Sequence, residues 1–127
     1  MKKSATKSLR VLVVDDEHVI CDACGLVLSE AGWEVDYRTT GKNGMQAIQE
    51  EDYDLILLDL KLPDIDGMEV LRSVRKMQSP PGVIIMTGYS SISNAVLAMK
   101  LGAADYLLKP FTDDELVAAI EKSLAKR

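Results

Sequence analysis

Five short apolar segments alternate along the chain with five stretches of helical periodicity, and this alternation is the strongest constraint on the fold. The apolar segments are Leu9–Val14, Trp33–Arg38, Asp54–Leu60, Gly82–Thr87 and Ala104–Leu108. Three of them contain continuous apolar runs, which are typical of parallel strands covered on both faces. Strict strand–helix alternation with right-handed crossovers favours a parallel sheet between two layers of helices. We therefore predict an α/β fold, a doubly wound five-stranded parallel sheet with five helices. The predicted strand order, 2-1-3-4-5, is that of a common class of known doubly wound folds.

The second segment differs from the others because apolar and charged residues alternate along it. Trp33, Val35 and Tyr37 are separated from one another by charged residues. In a strand, this alternation places the apolar side chains on one face and the charged ones on the other. The segment is therefore predicted to be an edge strand with one face in water.

The helical segments carry start and stop signals. The first helix should run from about Glu17 to Ala31, where Gly32 can end it in the left-handed conformation. Its predicted apolar stripe consists of Ile20, Cys24, Val27, Leu28 and Ala31. The third helix should begin at Asp66, and the fifth at Thr112, where the spacing of a capping box is complete.

Composition places the chain among ordinary globular domains. It has 127 residues, which suits one domain, and 20 acidic against 15 basic residues give a formal charge of -5. That balance argues against direct contact with nucleic acid. No apolar run approaches the length that spans a bilayer, so we predict a cytoplasmic protein with no membrane contact. Residues 1–8 are interpreted as a flexible leader and residues 9–127 as the domain.

Two cysteines, Cys21 and Cys24, have the spacing of a redox motif, and His18 lies nearby. The pair falls inside a helical pattern rather than at a helix start, and the three side chains would spread around the helix. We therefore predict that Cys24 fills the core, that Cys21 is incidental, and that neither a redox nor a zinc site is present.

Polar residues follow four of the predicted strands at the edge where open parallel sheets bind ligands. They are Asp15, Asp16 and Glu17 after the first strand, Asp59 after the third, Thr87 after the fourth and Lys109 after the fifth. Carboxylates about 5 Å apart repel by roughly 3 kcal/mol per pair, so a cation is expected among them. Oxygen ligands favour Mg²⁺, and also suit Mn²⁺, and such a site takes phosphate oxygens.

This arrangement predicts phosphoryl chemistry centred on Asp59. Its carboxylate is the natural nucleophile and would form an aspartyl phosphate. Lys109 offers a second positive charge, and Thr87 can donate a hydrogen bond to a phosphoryl oxygen.

The strings VVDDE, LLDLKLPDIDG, IIMTGYS and GAADYLLKPF, in this order, resemble those of response-regulator receiver domains of bacterial two-component systems. The resemblance covers about Leu9 to Leu124. The strings around Thr87 and Lys109 are most similar to receivers attached to sigma-54-dependent activators. The resemblance implies a phosphoacceptor switch rather than an enzyme, one that catalyses only its own phosphorylation and dephosphorylation. Its phosphoryl donor would be a sensor histidine kinase or a phosphotransfer protein.

The resemblance also implies a ligand set for the cation. Asp16 and Asp59 would bind Mg²⁺ directly, together with the main-chain carbonyl of Lys61, and Asp15 would act through a water molecule. Lys61 and Tyr89, which flank the path of an attacking water, would tune the rate at which the phosphoryl group is lost. Neither side chain can orient a water molecule as a carboxylate could, so slow self-dephosphorylation is predicted.

A switch and an output surface follow from the same resemblance. Thr87 would move toward the phosphoryl group, the ring of Tyr106 would follow inward, and Lys109-Pro110 would be a cis peptide. The predicted fourth helix is apolar nearly all round, which favours burial on more than one side. The surface of helix four, strand five and helix five is therefore expected to bind an output domain, a target protein or a second copy upon phosphorylation.

Two other classes of protein that use related chemistry fit the sequence less well. A haloacid-dehalogenase-like phosphohydrolase needs a second acid two residues after the nucleophile, where this chain has Lys61. A flavodoxin-like cofactor carrier needs a loop after the first strand that binds phosphate, and the acidic residues at that position would repel the phosphate. Both are less consistent with the sequence than a receiver.

Overall fold

The computed structural model describes residues 9–88 and 91–125 of the chain. Within them, parallel strands β1 to β5 form a sheet in the order β2-β1-β3-β4-β5, which confirms the predicted order. The strands are β1 (Arg10–Val14), β2 (Glu34–Arg38), β3 (Leu55–Asp59), β4 (Gly82–Thr87) and β5 (Asp105–Leu108). The helices are α1 (His18–Glu30), α2 (Gly41–Glu50), α3 (Gly67–Arg75), α4 (Ile92–Lys100) and α5 (Asp113–Ala125).

The core forms two layers, one on each face of the sheet. One cluster joins the sheet to α2, α3 and α4, and the other joins it to α1 and α5. The side chains of the central strand β3 are buried along its whole length, as expected for a strand covered on both faces. Alternate residues of β1, β3, β4 and β5 belong to the two clusters, and the edge strand β2 contributes Val35 to one of them, so the doubly wound architecture is confirmed.

Helix boundaries agree with most of the sequence signals. Gly32 has a φ of 89°, which is the left-handed conformation predicted to end α1. The capping box of α5 is complete, because Thr112 and Glu115 each accept the other's backbone N–H at 2.8–3.0 Å. Asp66 caps α3 by accepting a hydrogen bond from the Met68 amide.

Side-chain burial differs from prediction in β2 and at the two ends of the apolar stripe of α1. Tyr37 is 44% exposed, although alternation placed it with Trp33 and Val35 on the buried face of β2. Its ring lies edge-on to His18, at 6.3 Å between centroids, beyond the end of the core. In α1, the predicted stripe residues Ile20, Cys24, Val27 and Leu28 do pack in the core. Cys21 is buried in addition, whereas Ala31, the C-cap, is exposed.

Among the described residues, helix α4 is buried on one side only, so the apolar surface that the sequence predicts to bind a partner is exposed. Of its nine residues, all of them described, Ala98 alone is buried. The larger apolar side chains are exposed, with Ile92 at 85% and Met99 at 47%. An apolar helix packed on one small residue leaves an uncovered hydrophobic surface.

Candidate functional site

The carboxyl ends of β1, β3, β4 and β5 converge on one cavity, as the positions of the polar residues predicted. The cavity has a volume of about 440 Å³. It is lined by Asp16, Glu17, Asp59, Lys61, Thr87, Gly88 and Lys109. Asp15 lies directly beneath it and is fully buried.

Two of the acids, Asp15 and Asp59, are positioned by backbone hydrogen bonds at the ends of β1 and β3. Asp15 continues β1, where its N–H donates to the Arg38 carbonyl at 3.1 Å. Asp59 is the last residue of β3, is only 4% exposed, and accepts the Lys61 N–H through Oδ1 at 3.1 Å. The other oxygen of Asp59, Oδ2, is directed at Lys109.

Lys109 joins the acids of this site. Its Nζ lies 2.7 Å from Asp15 Oδ2, 2.7 Å from Glu17 Oε1 and 3.2 Å from Asp59 Oδ2. Burial lowers the pKa of Lys109, but the hydrogen bonds and charges of the three acids outweigh it, and the pKa is raised above the ordinary lysine value. The ammonium group therefore stays charged and offsets part of the acidic charge of the site.

The carboxylate of Asp15 has fewer interactions that offset its burial than the ammonium of Lys109 has. Burial raises the pKa of Asp15 above its ordinary value, and the ammonium of Lys109 and the backbone N–H of Glu17 offset this only in part. The Asp15 Oδ2 atom is in ionic contact with Lys109 but accepts no hydrogen bond of good geometry from the described residues. A buried carboxylate oxygen in this state is suited to a hydrated cation.

The acidic cluster includes one residue that the sequence did not assign to the cation. Oxygen atoms of Asp15, Glu17 and Asp59 lie within 4.8 Å of one another. Asp16, predicted as a direct ligand, is exposed and lines the cavity, but it does not belong to this cluster. Glu17 is the N-cap residue of α1, but its side chain makes no capping hydrogen bond and instead accepts a hydrogen bond from Lys109 Nζ. Its place in the acidic run was the signal for this role.

Thr87 lines the cavity at the end of β4, and Tyr106 lies on the neighbouring strand β5, paired with Ile85. Thr87 is fully buried at the end of β4, and its carbonyl accepts the Lys109 N–H at 2.9 Å. Tyr106 is partly buried and packs against the core cluster under α4. The Lys109-Pro110 bond is cis, as the resemblance implied. Tyr89, predicted to flank the path of water, lies outside the described residues.

The cysteines form no site of their own. Cys21 is buried, and its Sγ donates to the Asp15 carbonyl at 3.3 Å, so it is part of the core rather than incidental. Burial raises the pKa of Cys21 to about 11 and that of Cys24 to about 12. Thiols that stay protonated are poor nucleophiles and poor metal ligands.

Acids that surround one partly buried lysine, at the carboxyl end of a doubly wound parallel sheet, define a domain suited to phosphoryl transfer onto aspartate. Comparison with known proteins gives the family. Residues 11–121 match the response regulator receiver domain family, and the chain belongs to that family. It is a phosphoacceptor receiver domain of a two-component signal transduction system.

Individual relatives agree with this assignment. The chain is 36% identical over 118 residues to the transcriptional regulatory protein ZraR of Escherichia coli (strain K12), covering 93% of this chain and 27% of that protein. The chain thus spans about a quarter of that relative's length. It is also similar to a CheY-like response regulator receiver domain protein from Methanospirillum hungatei JF-1, with a TM-score of 0.90, 34% identity, and coverage of 94% and 96% of the two chains.

A third relative has been crystallised with a modified site. It is a response regulator protein from Burkholderia pseudomallei with a phosphorylated aspartic acid, a calcium ion and citrate. The TM-score is 0.83 at 27% identity, and the match covers 94% of this chain and 71% of that one.

Within residues 9–88 and 91–125, no helix combines the length and the apolar character that crossing a bilayer requires.

Proposed function

We propose that Asp59 accepts the phosphoryl group, and that the donor is a sensor histidine kinase or a phosphotransfer protein. The observation that carries this proposal is the position of Asp59, which lines the cavity and lies 3.2 Å from the partly buried ammonium of Lys109. A carboxylate oxygen attacks phosphorus, the bond from phosphorus to the donor nitrogen breaks, and the donor imidazole takes up a proton. The phosphorylated aspartic acid of the Burkholderia relative supports this chemistry.

The site fits Mg²⁺, and Mn²⁺ suits the same ligands. Its donors are carboxylate and carbonyl oxygens, and the buried Oδ2 of Asp15 lacks a well-formed hydrogen bond. Asp16, Asp59 and the main-chain carbonyl of Lys61 would hold the cation, with Asp15 acting through a water molecule. When bound, the cation would neutralise charge on the phosphoryl oxygens.

Lys109 and Thr87 would hold the transferred group. A phosphoryl group on Asp59 brings negative oxygens close to Lys109, whose ammonium can then bind them in place of Glu17. The hydroxyl of Thr87 donates to another phosphoryl oxygen. Both groups stabilise the negative charge of the phosphorylated state, and the domain acts on no substrate besides its own aspartate.

The signal would leave through α4, β5 and α5. Movement of Thr87 toward the phosphoryl group makes room for the ring of Tyr106, which is partly buried on the neighbouring strand. The exposed apolar side chains of α4, together with Leu108 at 48% exposure, form the surface that an output domain, a target protein or a second copy would cover. ZraR is a transcriptional regulatory protein, so the output would be control of transcription, with DNA contacted by another part of the protein.

The phosphoryl group should be lost slowly without help. Lys61 lines the cavity two residues after Asp59, where its side chain competes with an attacking water molecule. Tyr89 has the corresponding position two residues after Thr87. Decay of the phosphorylated parent should be slower than that of Lys61→Asn and Tyr89→Ala variants; equal decay rates would contradict shielding.

We also propose the cytoplasm as the compartment, because two unpaired cysteines suit a reducing environment.

The central experiment is phosphorylation by acetyl phosphate, followed by intact mass spectrometry. The parent should gain one phosphoryl adduct in the presence of Mg²⁺, and Asp59→Asn should gain none. Asp16→Asn, which keeps the shape of the side chain but removes a proposed ligand, should lose the Mg²⁺ dependence and most of the adduct. An adduct mapped to a residue other than Asp59 would overturn the proposal.

A further inference from the structure

We propose that Asp64 is a positioning residue, which fixes the loop between β3 and α3 by binding the N-terminus of α2. This loop, residues 60–66, contains Lys61, whose carbonyl is the proposed cation ligand. The inference therefore rests on the proposed function of the site.

The contact joins Asp64 to two backbone amides of α2. Its Oδ1 accepts the Gly41 N–H at 2.8 Å, and its Oδ2 accepts the Lys42 N–H at 2.9 Å. The first amides of a helix have no partner within the helix. Thr40 Oγ1 satisfies the next amide, that of Asn43, at 3.1 Å. The helix thus begins with two amides whose acceptors come from the loop of another strand.

Glycine at the start of α2 makes this close approach feasible. A Cβ atom at Gly41 would collide with Ile65, the neighbour of Asp64, and would lie 2.7 Å from its Cδ1. The backbone of α2 and the tip of the loop are therefore in direct contact. The two hydrogen bonds to the Asp64 carboxylate and the Gly41–Ile65 contact involve different atoms. Both hold the loop against the N-terminus of α2.

Helix α2 is itself fixed to the strand that ends in the acids. A Cβ atom at Gly44 would lie 2.9 Å from both γ-carbons of Val14, so α2 packs tightly on the last residue of β1. Asp15 and Asp16 follow directly. At its other end the loop is held by Gly67, whose N–H donates to the Leu60 carbonyl at 2.9 Å.

These contacts connect the two halves of the proposed ligand set. Asp16 belongs to the end of β1, whereas Asp59 and the Lys61 carbonyl belong to the end of β3 and its loop. Asp64 ties that loop to α2, and α2 is seated on β1. Loss of the hydrogen bonds to Asp64 should leave each ligand present but let the Lys61 carbonyl move relative to Asp16. This movement should weaken cation binding more than it lowers the reactivity of Asp59 as a nucleophile.

Three variants separate position from charge. Asp64→Ala removes both acceptors and the charge, whereas Asp64→Asn removes the same charge but keeps one acceptor oxygen. Gly41→Ala leaves every charge in place and pushes Ile65 away. Glu121→Ala removes an exposed acid of α5 and is the matched control for net charge.

The measurement is the Kd for Mg²⁺, by titration calorimetry at 0.15 M and 0.5 M salt. We expect about 10-fold weaker binding for Asp64→Ala and for Gly41→Ala, an intermediate loss for Asp64→Asn, and no more than about a twofold change for Glu121→Ala. The ratios should persist at high salt, because displacement of a ligand is not screened. At saturating Mg²⁺, the rate of phosphorylation by acetyl phosphate should stay within about twofold of the parent.

Equal Kd values for Asp64→Ala and Asp64→Asn, together with parental binding by Gly41→Ala, would show a charge effect and overturn the inference. Amide exchange at Lys42 without Mg²⁺ provides a second readout and should be faster in Asp64→Ala; unchanged exchange would also overturn it. If the parent itself neither bound Mg²⁺ nor became phosphorylated, the proposed function would fail, while the Lys42 amide would still report on the tie.

Discussion

Helices α3 and α4 have the same length and pack on the same face of the sheet, yet they are held very differently. Both contain nine residues, and every residue of both is described. The buried residues of α3 are Gly67, Met68, Val70, Leu71 and Val74. Helix α4 buries Ala98 alone and exposes Ile92, Val96, Leu97 and Met99. Buried apolar area is what attaches a helix to a core, so α3 is fixed and α4 is attached weakly.

This difference matches the parts that we propose for the two helices around the site. Helix α3 begins at Gly67, where a Cβ atom would lie 2.6 Å from the Leu60 Cα, so its start is packed against the residue after Asp59. A fixed α3 keeps the loop that carries Lys61 in place. A weakly attached α4 can be rearranged by a free energy of a few kcal/mol, the scale on which charge-assisted hydrogen bonds to a new phosphoryl group act.

Two leucine substitutions provide the largest test of the comparison. Leu71→Ala, in α3, should lower the free energy of unfolding by about 3 kcal/mol, because the side chain is fully buried and its loss leaves a cavity. Leu97→Ala, in α4, should lower it by less than about 1 kcal/mol, since that side chain is already 37% exposed. Urea unfolding with unchanged m-values measures both. Equal losses would mean that α4 is held as firmly as α3.

Amide exchange tests the same comparison without mutation. Amides in the second half of α4 should exchange at least about 10-fold faster than those of α3, a difference of roughly 1.4 kcal/mol in opening free energy. Phosphorylation should change exchange in α4 and β5 and leave α3 unchanged. Asp59→Asn, treated identically, is the control. A response confined to α1 would exclude α4 as the output element.

The features that the sequence predicted well depend on local patterns or on topology. Alternating strands and helices favour a doubly wound parallel sheet, and the carboxyl ends of its strands bring Asp59 and Lys109 to one edge. The capping box at Thr112 is a local pattern as well, since all of its hydrogen bonds lie within one turn. No tertiary information was needed for these features.

The features that the sequence missed depend on contacts between distant segments. Tyr37 follows the alternation of β2, but the core ends before it, so strand periodicity alone could not place it. The bond from Asp64 to Gly41 joins residues 23 positions apart, and neither residue carries a local signal for it.

The smallest effect should come from the one charged pair within α3. Arg72 Nη1 lies 2.6 Å from Glu69 Oε1, but the two side chains are 40% and 62% exposed. An exposed ion pair at this spacing contributes roughly 0.3 kcal/mol, because water screens it and both side chains lose rotamer freedom. A double-mutant cycle with Glu69→Ala and Arg72→Ala should give that coupling energy at low salt and a smaller value at 0.5 M salt. The expected weakness sharpens the comparison, since it leaves the buried face of α3 as the reason why that helix is fixed. A coupling energy above about 1 kcal/mol would instead make surface charge part of the difference between α3 and α4.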